Sequence, residues 1–535
     1  MLNSVRQVHI FTRNLVFCLL SEEKKVARRQ FLKYGGAAVA VAGVAAVGYM
    51  AGQGGAPAPT GTTVTETNTV TAGTMTGGPQ VEGNIEDFLA KASGPYKGQT
   101  VRLVSESTAS GMWLNENKRA RFEEITGIKV EMELLGWDDV MRKQLLDAQQ
   151  KGGAYDLYYI DEAEIMASRF DNDYILDWYM YADQHKDLLW PGFNVTDLIP
   201  VKYFTYKGML AGPPFEHFIR TIVYRKDLFE DPTEKQNFKA KYGWDLRPAQ
   251  TYDEYRQIAE FFTRPDQDLY GHVCMPNSMC IPCDMYTATG GYGIMNYGLA
   301  TLGYRAGYKN GGRLDSLGAI AWLHRYVDLL QYGPPGLANF TWDDEGASIA
   351  AGRIAQGWVF TENFAYIQDP EKSPKSAGKI LCTIPHVEPK FYTYSTPLIY
   401  GDAGVWAMAR SGQAKEAAFL WNQYATCTET QIGQMKACKG LAPRSSLLYG
   451  TTLGEELDAK YGTNVYATIK RATREGLLMG PFPPMADEPV GRDILWKHLV
   501  DAAAKKVTPE DALTTCANEM DEKWKSLGYP DLKGY

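Results

Sequence analysis

Strand and helix patterns alternate regularly once the globular part of the sequence begins. Each apolar strand-like run is followed by a segment of helical spacing, and glycines end two of the helix patterns at Gly127 and Gly152–Gly153. The alternation consists of strand patterns at 100–105, 128–135 and 155–160 and helix patterns at 114–126 and 137–150. This order predicts an α/β fold with a mostly parallel sheet, whose ligand crevice lies at the carboxyl ends of the strands. Residues 110–113 and Asp161–Glu162 follow two of those ends.

The length and the charge of the chain limit its architecture and its partners. With 535 residues the chain exceeds what one compact core holds, so two large lobes or two to three domains are expected. The net charge is −8 and no Lys/Arg-rich block follows residue 35, which argues against a nucleic-acid partner. The 33 Tyr, 20 Phe and 12 Trp residues suit both core packing and a sugar-stacking cleft, so the aromatic content decides for neither.

The first 51 residues have the pattern of an export or anchoring segment. The sequence ARRQFLK at 27–33 looks like a twin-arginine export signal, and an uncharged, mildly apolar stretch follows at 35–51. The alternative is a short membrane-spanning helix with a positive cytoplasmic flank. Both interpretations place the rest of the chain outside the cytoplasm, and an uncleaved helix is the expected anchor to the outer face of the cell membrane. Residues 1–51 are therefore predicted to be a twin-arginine-like signal or membrane anchor, and no cysteine directly follows them to accept a lipid.

Residues 52–95 are predicted to form a stalk. Gly, Pro and Thr dominate residues 52–79, and seven Thr residues lie between positions 60 and 71. Such a stretch cannot bury enough apolar surface to order itself, which favours an extended chain. A stalk after a membrane segment is typical of a binding or surface protein.

A series of short motifs runs through the globular sequence in a consistent order. They are EEITGIKV at 123–130, GAYDL at 153–157, KGMLAGP at 207–213, YRKDLF at 224–229, TYDEY at 251–255, GRIA at 352–355 and TPEDAL at 508–513. Together they resemble the extracellular solute-binding proteins of family 1, the maltose or multiple-sugar-binding type, from about Gly98 to Gly528. Tyr252 stands where that family usually has Trp, and residues 193–197 and 274–283 have no counterpart in it.

The resemblance implies a type II periplasmic-binding-protein-like α/β fold, with two hinged, discontinuous lobes and a ligand cleft between them. The expected division is 96–212 and 367–401 for lobe 1, and 213–366 and 402–535 for lobe 2. The expected crossings between the lobes lie near 211–213, 400–404 and 437–443. Closure of the lobes around a ligand is the expected mechanism.

The same resemblance implies an extracytoplasmic substrate-binding protein of an ABC transporter, which captures a sugar or oligosaccharide and delivers it to the permease. Its expected partners are a carbohydrate ligand, the permease subunits and, through the N-terminal segment, the membrane. We expect a monomer without enzymatic activity, cofactor or nucleic-acid partner, since the sequence has no G-x-S-x-G, G-x-x-x-x-G-K, H-E-x-x-H or helix-opening G-x-G-x-x-G motif. A secreted carbohydrate-active enzyme with paired carboxylates, and a binding protein for a peptide or polyamine, stay open as alternatives.

Aromatic and carboxylate residues that follow strand patterns or flank the expected crossings are the candidate ligand contacts. A neutral sugar has hydroxyls at its rim and an apolar C–H face, so its site needs carboxylates, amides or Arg at the edge and aromatic planes above and below. The candidates are Trp113, Asp161, Glu162, Phe215, Glu216, Tyr286, Tyr292, Glu362, Phe364, Tyr366, Asp402 and Arg492. Phe364 and Tyr366 stand where the maltose type carries stacking tryptophans. Trp358 and Trp406 lie in strand-like runs and are predicted to belong to the core.

His272, Cys274, Cys280 and Cys283 form the one constellation that the family does not explain. Their H-x-C-x5-C-x2-C spacing allows four zinc ligands, or a redox pair at Cys280 and Cys283. A disulfide within this insertion is the favoured interpretation, because the outer compartment is oxidising. No metal site is therefore predicted, and this cluster is the weak candidate for one.

Overall fold

A computed structural model of the chain describes residues 84–277, 280–292, 294, 305–387, 398–438, 441, 444–479 and 488–529. The predicted signal or anchor at 1–51 and the Thr-rich part of the predicted stalk lie outside these residues. Within them, no helix is both long enough and apolar enough to cross a membrane.

Ten strands occur in the described residues, and eight of them form one mixed sheet. They are β1 (Thr100–Glu106), β2 (Lys129–Leu135), β3 (Leu157–Ile160), β4 (Thr205–Tyr206), β5 (Met209–Leu210), β6 (Pro214–Arg225), β7 (Gln356–Phe360), β8 (Ile380–Thr383), β9 (Ile399–Met408) and β10 (Leu478–Met479). The strand order is β2-β1-β3-β9-β6-β7, with β8 on β6, β10 on β9, and β4–β5 as a separate ribbon. Strand β1 pairs in parallel with β2 and β3, as the alternating pattern predicts, whereas β9 runs antiparallel to both β3 and β6.

Twenty α-helices occur in the same part of the chain. They are α1 (Ile85–Ala92), α2 (Ala109–Asn117), α3 (Arg119–Thr126), α4 (Trp137–Gln150), α5 (Ala163–Asp171), α6 (Trp178–Gln184), α7 (Lys226–Glu230), α8 (Pro232–Tyr242), α9 (Tyr252–Phe262), α10 (Ile281–Tyr292), α11 (Leu317–Leu329), α12 (Trp342–Ala350), α13 (Phe364–Ile367), α14 (Lys415–Ala425), α15 (Thr428–Lys436), α16 (Ser445–Gly450), α17 (Leu453–Tyr461), α18 (Val465–Arg474), α19 (Glu488–Ala503) and α20 (Pro509–Ser526). The predicted helix at 137–150 is α4, and the one predicted at 114–126 is two helices. Thr108 caps α2 by accepting from Gly111 N at 3.0 Å, so helical structure begins earlier than expected. Gly127 ends α3 with φ of 70°, a left-handed conformation that favours glycine.

The two longest strands, β6 and β9, each contribute to two hydrophobic cores. The lobe 1 core consists of buried apolar residues between 85 and 215 and between 403 and 427. The lobe 2 core consists of those between 218 and 400 and between 435 and 524. A third, smaller cluster around Tyr255 and Phe262 reaches β6 at Ile222. Because β6 and β9 pair with each other and run from one core into the other, they form two of the connections between the lobes.

Residues 367–427 lie in other lobes than the predicted lobe boundaries place them. Buried residues of 367–401 belong to the lobe 2 core and those of 403–427 to the lobe 1 core, which is the reverse of the expected assignment. The reason is that β8 pairs with the lobe 2 end of β6, after which β9 carries the chain across to β3. Helix α15 then returns the chain to lobe 2, since Cys427 lies in one core and Met435 in the other.

The globular body begins before residue 96, so the predicted end of the stalk is wrong. Residues 85–92 form α1, and its Ile85 and Leu89 are buried in the lobe 1 core. Asn84 caps this helix by accepting from Asp87 N at 2.8 Å, and an acidic first turn suits the positive end of the helix dipole. An Asn cap, two acidic residues and an apolar pair four residues apart are the sequence signal that the stalk prediction overlooked.

Candidate functional site

Residues from both lobes line one cleft of about 610 Å³, counted with its space open to solvent. The lining residues are Glu106, Trp137, Asp161, Glu162, Phe218, Met275, Cys280, Cys283, Trp342, Phe360, Glu362, Tyr400, Asp402 and Arg492. The structure therefore brings five of the predicted ligand contacts together: Asp161, Glu162, Glu362, Asp402 and Arg492. Their role in binding stays a prediction.

Two strand ends supply the carboxylates of the lobe 1 wall. Glu106 is the last residue of β1, and Asp161 and Glu162 directly follow β3. Helix α4 begins at Trp137, whose Nε1 donates to Asp161 Oδ2 at 2.8 Å. Asp161 Oδ1 is buried and accepts no hydrogen bond from any residue that the structure describes. Because a buried carboxylate oxygen without a donor is costly, this atom is suited to receive a donor from a ligand.

A salt bridge joins the two lobes across the cleft. Arg492 of α19 donates to Glu162 Oε1 at 2.6 Å, while Glu162 Oε2 is buried without a hydrogen-bond partner in the described part of the chain. Helix α19 packs in the lobe 2 core through Leu495 and Leu499. Glu162 instead lies between β3 and α5, beside Ala163 of the lobe 1 core. The pair therefore requires the two walls to be close together.

Strands β7 and β9 bring two further carboxylates to the cleft. Asp402 lies in β9 where the chain passes between the cores, and its Oδ1 accepts from Ala403 N at 2.8 Å. Its Oδ2 accepts from Tyr400 OH at 3.2 Å. Glu362 lies in the single 3-10 turn that directly follows β7. Both strands pair with β6, so their residues meet at the same part of the sheet.

Glu216 of β6 is a predicted contact that does not line the cleft. It is 1% exposed and accepts from Thr108 Oγ1 at 2.6 Å and from Tyr159 OH at 2.9 Å. Burial raises the pKa of Glu216 to about 7, although these two hydrogen bonds act in the opposite direction. Its charge in turn contributes to raising the pKa of Glu106 and of Glu362.

Full ionisation of the cleft carboxylates is unfavourable. Burial, followed by the charges of neighbouring carboxylates, raises the pKa of Glu106 and of Glu362 well above the usual value. Burial and then Glu162 raise the pKa of Asp161 in the same way, and burial and then Asp161 raise that of Asp402. Groups of this kind keep a proton or take up a partner that offers a hydrogen-bond donor or a positive charge.

Aromatic side chains form the apolar part of the walls. They are Trp137, Phe218, Trp342, Phe360 and Tyr400. Phe218 of β6 and Phe360 of β7 pack edge to face with ring centroids 6.1 Å apart. Sequence reasoning missed all five and also Glu106. Extending the strand-end argument to β2 would have found Trp137, which follows that strand after a single glycine.

The sequence places this cleft in a known family. Residues 119–449, more than half of the chain, match the bacterial extracellular solute-binding proteins. The chain belongs to this family. The binding protein therefore has the architecture that its sequence motifs predict, and the cleft lies between its two lobes.

Solved structures of solute-binding proteins have the same fold. The ABC transporter solute-binding protein of Agrobacterium radiobacter K84, in complex with ribitol, matches with a TM-score of 0.65 and 20% identity, over 80% of this chain and 99% of that one. The D-mannitol complex from Agrobacterium vitis S4 has a TM-score of 0.64, 18% identity, and coverage of 81% and 100%. A maltose-bound protein of T. maritima matches with a TM-score of 0.63 and 17% identity, over 80% of this chain and 100% of that one. These similarities confirm the two-lobed α/β fold of this binding protein.

The sequence matches to curated relatives cover a smaller share of this chain than the matches to solved structures do. Binding proteins of Brucella abortus (strain 2308) and of Brucella suis biovar 1 (strain 1330) are 26% identical over 298 residues, which is 54% of this chain. The match spans 63% of the length of those proteins, less than two thirds.

Two predicted aromatic contacts of the binding protein lie in the cores instead of the cleft. Phe215 stacks on Trp406 inside the lobe 1 core, with ring centroids 4.0 Å apart. Phe364 is 3% exposed in the lobe 2 core, because the short helix α13 turns it inward together with Ile367. Trp406 itself is core, as the sequence predicts. A role for Phe215 or Phe364 as a stacking plane in the cleft is inconsistent with this placement.

The remaining predicted aromatic residues also lie outside the cleft lining. Trp113 packs against Gly433 of α15, where a Cβ atom would come within 2.7 Å of the indole. Tyr366 donates to the carbonyl of Asp343 at 3.5 Å. Tyr292 lines a separate cavity in lobe 2, which His272 also lines. The side chain of Tyr286 is outside the described part of the structure.

The predicted disulfide in the 274–283 insertion is absent, since Cys274, Cys280 and Cys283 are free thiols. Cys280 and Cys283 line the cleft at the start of α10, and Cys274 is buried in the lobe 2 core. His272 Nδ1 lies 2.9 Å from Tyr255 OH, and burial lowers the pKa of His272 to about 3. No group of three or more His, Cys, Asp or Glu residues is arranged to hold a metal in the part of the chain that the structure describes.

Proposed function

We propose that this binding protein is the substrate-binding component of an ABC importer and captures a sugar or polyol between its lobes. The observation that carries the proposal is the cleft, whose lining combines aromatic side chains of both lobes with carboxylates that keep buried oxygens without a donor among the described residues. A hydroxyl group can donate to Asp161 Oδ1 while an apolar C–H face packs on Trp137 or Trp342. Proteins of the same fold hold ribitol, D-mannitol and maltose, which supports the same chemistry here.

Lobe closure is the proposed mechanism of capture. Strands β6 and β9 connect the lobes, and the Glu162–Arg492 pair is one interaction that forms only when the walls approach. A ligand that contacts both walls adds further interactions to the closed conformation and shifts the population toward it.

The proposed site of action is the outer face of the cell membrane, where the monomer delivers its ligand to permease subunits. The family of extracellular solute-binding proteins, the twin-arginine-like pattern at 27–33 and the Thr-rich stretch after residue 52 support this location. Cell fractionation is the test, and the full-length chain is expected with the membranes. Full-length protein free in the medium, with residues 35–51 still attached, would contradict the tether.

Calorimetric titration with ribitol, D-mannitol and maltose tests the binding role. A micromolar complex, about −8 kcal/mol, is expected for at least one of them, with compaction in small-angle scattering. The ligand should be recovered unchanged, whereas release of a cleavage product would favour the carbohydrate-active enzyme. Failure of every polyol and sugar to bind would refute the proposal.

A substitution in the aromatic wall tests the location of the site. Trp342→Ala removes an indole from the cleft and is expected to weaken binding about tenfold, since aromatic contacts contribute roughly 1 kcal/mol beyond burial. Tyr308→Ala is the matched control, because Tyr308 is 58% exposed and does not line the cleft. An equal loss of affinity in both variants would argue against the cleft as the binding site.

A further inference from the structure

The charges that line the cleft are unbalanced. The acidic lining residues are Glu106, Asp161, Glu162, Glu362 and Asp402. Arg492 is the only basic residue among the described lining residues, and its guanidinium is already paired with Glu162 at 2.6 Å. The other four carboxylates form no salt bridge with any described Lys or Arg. The acidic groups therefore outnumber the basic groups among the lining residues that the structure describes.

Two of these carboxylates keep a buried oxygen without a donor. Asp161 and Glu162 are 8% and 9% exposed. Trp137 Nε1 donates a hydrogen bond to Asp161 Oδ2, and Arg492 donates one to Glu162 Oε1. The other carboxylate oxygens, Asp161 Oδ1 and Glu162 Oε2, have no hydrogen-bond partner among the described residues. These consecutive residues follow β3 and both line the cleft, and each has one carboxylate oxygen without a donor among the described residues.

A neutral sugar does not fully satisfy this arrangement. Its hydroxyls supply donors but leave the negative charge in place, so the neighbouring carboxylates must hold protons or repel one another. A protonated amine supplies up to three donors and one positive charge at the same point. Hydrogen bonds between two charged groups are also shorter and stronger than neutral ones.

The rest of the cleft lining offers apolar contacts that a bare cation does not use. Trp137, Trp342 and Phe360 line the cleft together with the acidic residues. An aromatic wall of this kind suits a skeleton with an apolar C–H face. The ligand must therefore combine a positive charge with a larger body.

We infer that the cleft selects a solute with a protonated amine on a polyhydroxylated skeleton, an amino sugar or amino polyol, whose ammonium group binds the open oxygens of Asp161 and Glu162. The inference rests on the proposed function, because the skeleton occupies the same cleft as the proposed sugar or polyol. It adds the charge of the ligand and the residues that recognise that charge.

Two matched pairs of ligands test the inference by calorimetry. D-glucamine is compared with D-sorbitol, and D-glucosamine with D-glucose, since each pair differs by one amine in place of one hydroxyl. Each amine is expected to bind at least about tenfold more tightly than its neutral partner at low salt. This preference should shrink as NaCl is added, because salt screens partly exposed charge interactions.

One substitution tests the residue that recognises the charge. Asp161→Asn removes the negative charge but keeps the size of the side chain and an oxygen for Trp137 Nε1. The ratio of the affinity for the amine to the affinity for its neutral partner is expected to fall about tenfold, because only the ammonium group loses a charge interaction, whereas both ligands lose the same acceptor oxygen. Asp187→Asn is the control, since Asp187 is exposed and lies outside the cleft lining. Thermal unfolding of both variants confirms that they are folded.

The outcomes separate this inference from the proposed function. Neutral partners that bind as tightly as the amines would overturn the inference and leave the proposed function in place. Binding of putrescine alone, with no binding of any sugar or polyol, would overturn the polyhydroxylated skeleton and the proposed function together. An amine preference that persists in Asp161→Asn would overturn the assigned position of the ammonium group.

Discussion

Buried carboxylates occur in the lobe 2 core and in the cleft, and the two groups differ in their partners. In the core, the fully buried Arg220 of β6 donates to both oxygens of Glu345, at 2.6 and 2.8 Å, and also pairs with Asp284. Asp284 accepts in addition from Tyr326 OH at 2.6 Å and from Met275 N at 3.0 Å. Every carboxylate oxygen in this core cluster therefore has a protein donor.

The cleft carboxylates have fewer donors and almost no positive charge. Asp161 and Glu162 each keep one oxygen without a donor among the described residues, and Arg492 reaches only one of the two. A saturated cluster holds a core together, because removing any member leaves a buried charge uncompensated. An unsaturated cluster beside open space keeps its binding capacity for a ligand. The comparison thus separates buried charge that stabilises the fold from buried charge that recognises a solute.

The largest expected effect comes from breaking the saturated cluster. Arg220→Met should lower the free energy of unfolding by about 3–5 kcal/mol, because Glu345 and Asp284 lose their shared cation in the core. Urea denaturation followed by fluorescence measures this loss. The affinity of the remaining folded protein for its ligand is expected to stay close to that of the wild type, since Arg220 does not line the cleft.

An exposed arginine provides the control for this comparison. Arg474→Met, at the end of α18, removes a side chain that is 67% exposed and should change the stability by less than about 0.5 kcal/mol. A loss below about 1 kcal/mol in Arg220→Met would contradict a structural role for the core cluster.

Glu216 is intermediate between the two groups, because it has hydroxyl donors but no positively charged partner among the described residues, and its buried carboxyl group predicts a pH-dependent stability. Burial raises its pKa from 4.5 to about 7, so the folded state holds a proton that the unfolded chain releases at lower pH. Raising the pH from 4.5 through 7 therefore lowers the free energy of unfolding of the wild-type protein. Glu216→Gln lacks this titration, so its stability relative to the wild type should rise by about 3 kcal/mol between pH 4 and pH 8.

Urea denaturation of both proteins between pH 4 and pH 8 measures this change in relative stability. Any effect of the new amide that does not depend on pH cancels when the stability differences at two pH values are subtracted. Glu116→Gln, at an exposed position of α2, is the matched control and should show a difference of less than about 0.5 kcal/mol. A flat pH dependence for Glu216→Gln relative to the wild type would contradict a buried proton at this position.

Four of the five carboxylates that line the cleft were among the predicted contacts, because strand ends and crossings are visible in the sequence, whereas Glu106 at the end of β1 was missed. Asp161 and Glu162 follow the continuous apolar run of β3, and parallel strands present their carboxyl ends at one edge of a sheet. The crossing near residue 402 was also predictable, since the motif order resembles a family with a known chain path. Asp402 lies there, in the strand that passes between the two cores.

The aromatic walls could not be predicted because burial depends on how distant segments pack. Phe364 and Trp342 are both aromatic residues near helix starts, yet only Trp342 lines the cleft, whereas α13 turns Phe364 into the core. The same limit affected the lobe boundaries. No local pattern shows that β8 pairs with the lobe 2 end of β6, so residues 367–401 were assigned to the wrong lobe.

The smallest expected effect concerns the single salt bridge between the lobes. Arg492→Gln removes the partner of Glu162, whose side chain is 12% exposed, but opening of the lobes returns that carboxylate to water. The loss of unfolding free energy should therefore be no more than about 1 kcal/mol, well below the cost of a carboxylate trapped in a core. Affinity for D-mannitol is expected to fall up to about tenfold, and small-angle scattering should show a more open ligand-free protein.

Affinity of Arg492→Gln for D-glucamine should fall less, because the freed Glu162 oxygen offers the ammonium group another acceptor. Equal losses for both ligands would mean that Arg492 only holds the lobes together, whereas a large loss of stability would place the Glu162–Arg492 pair with the core cluster around Arg220.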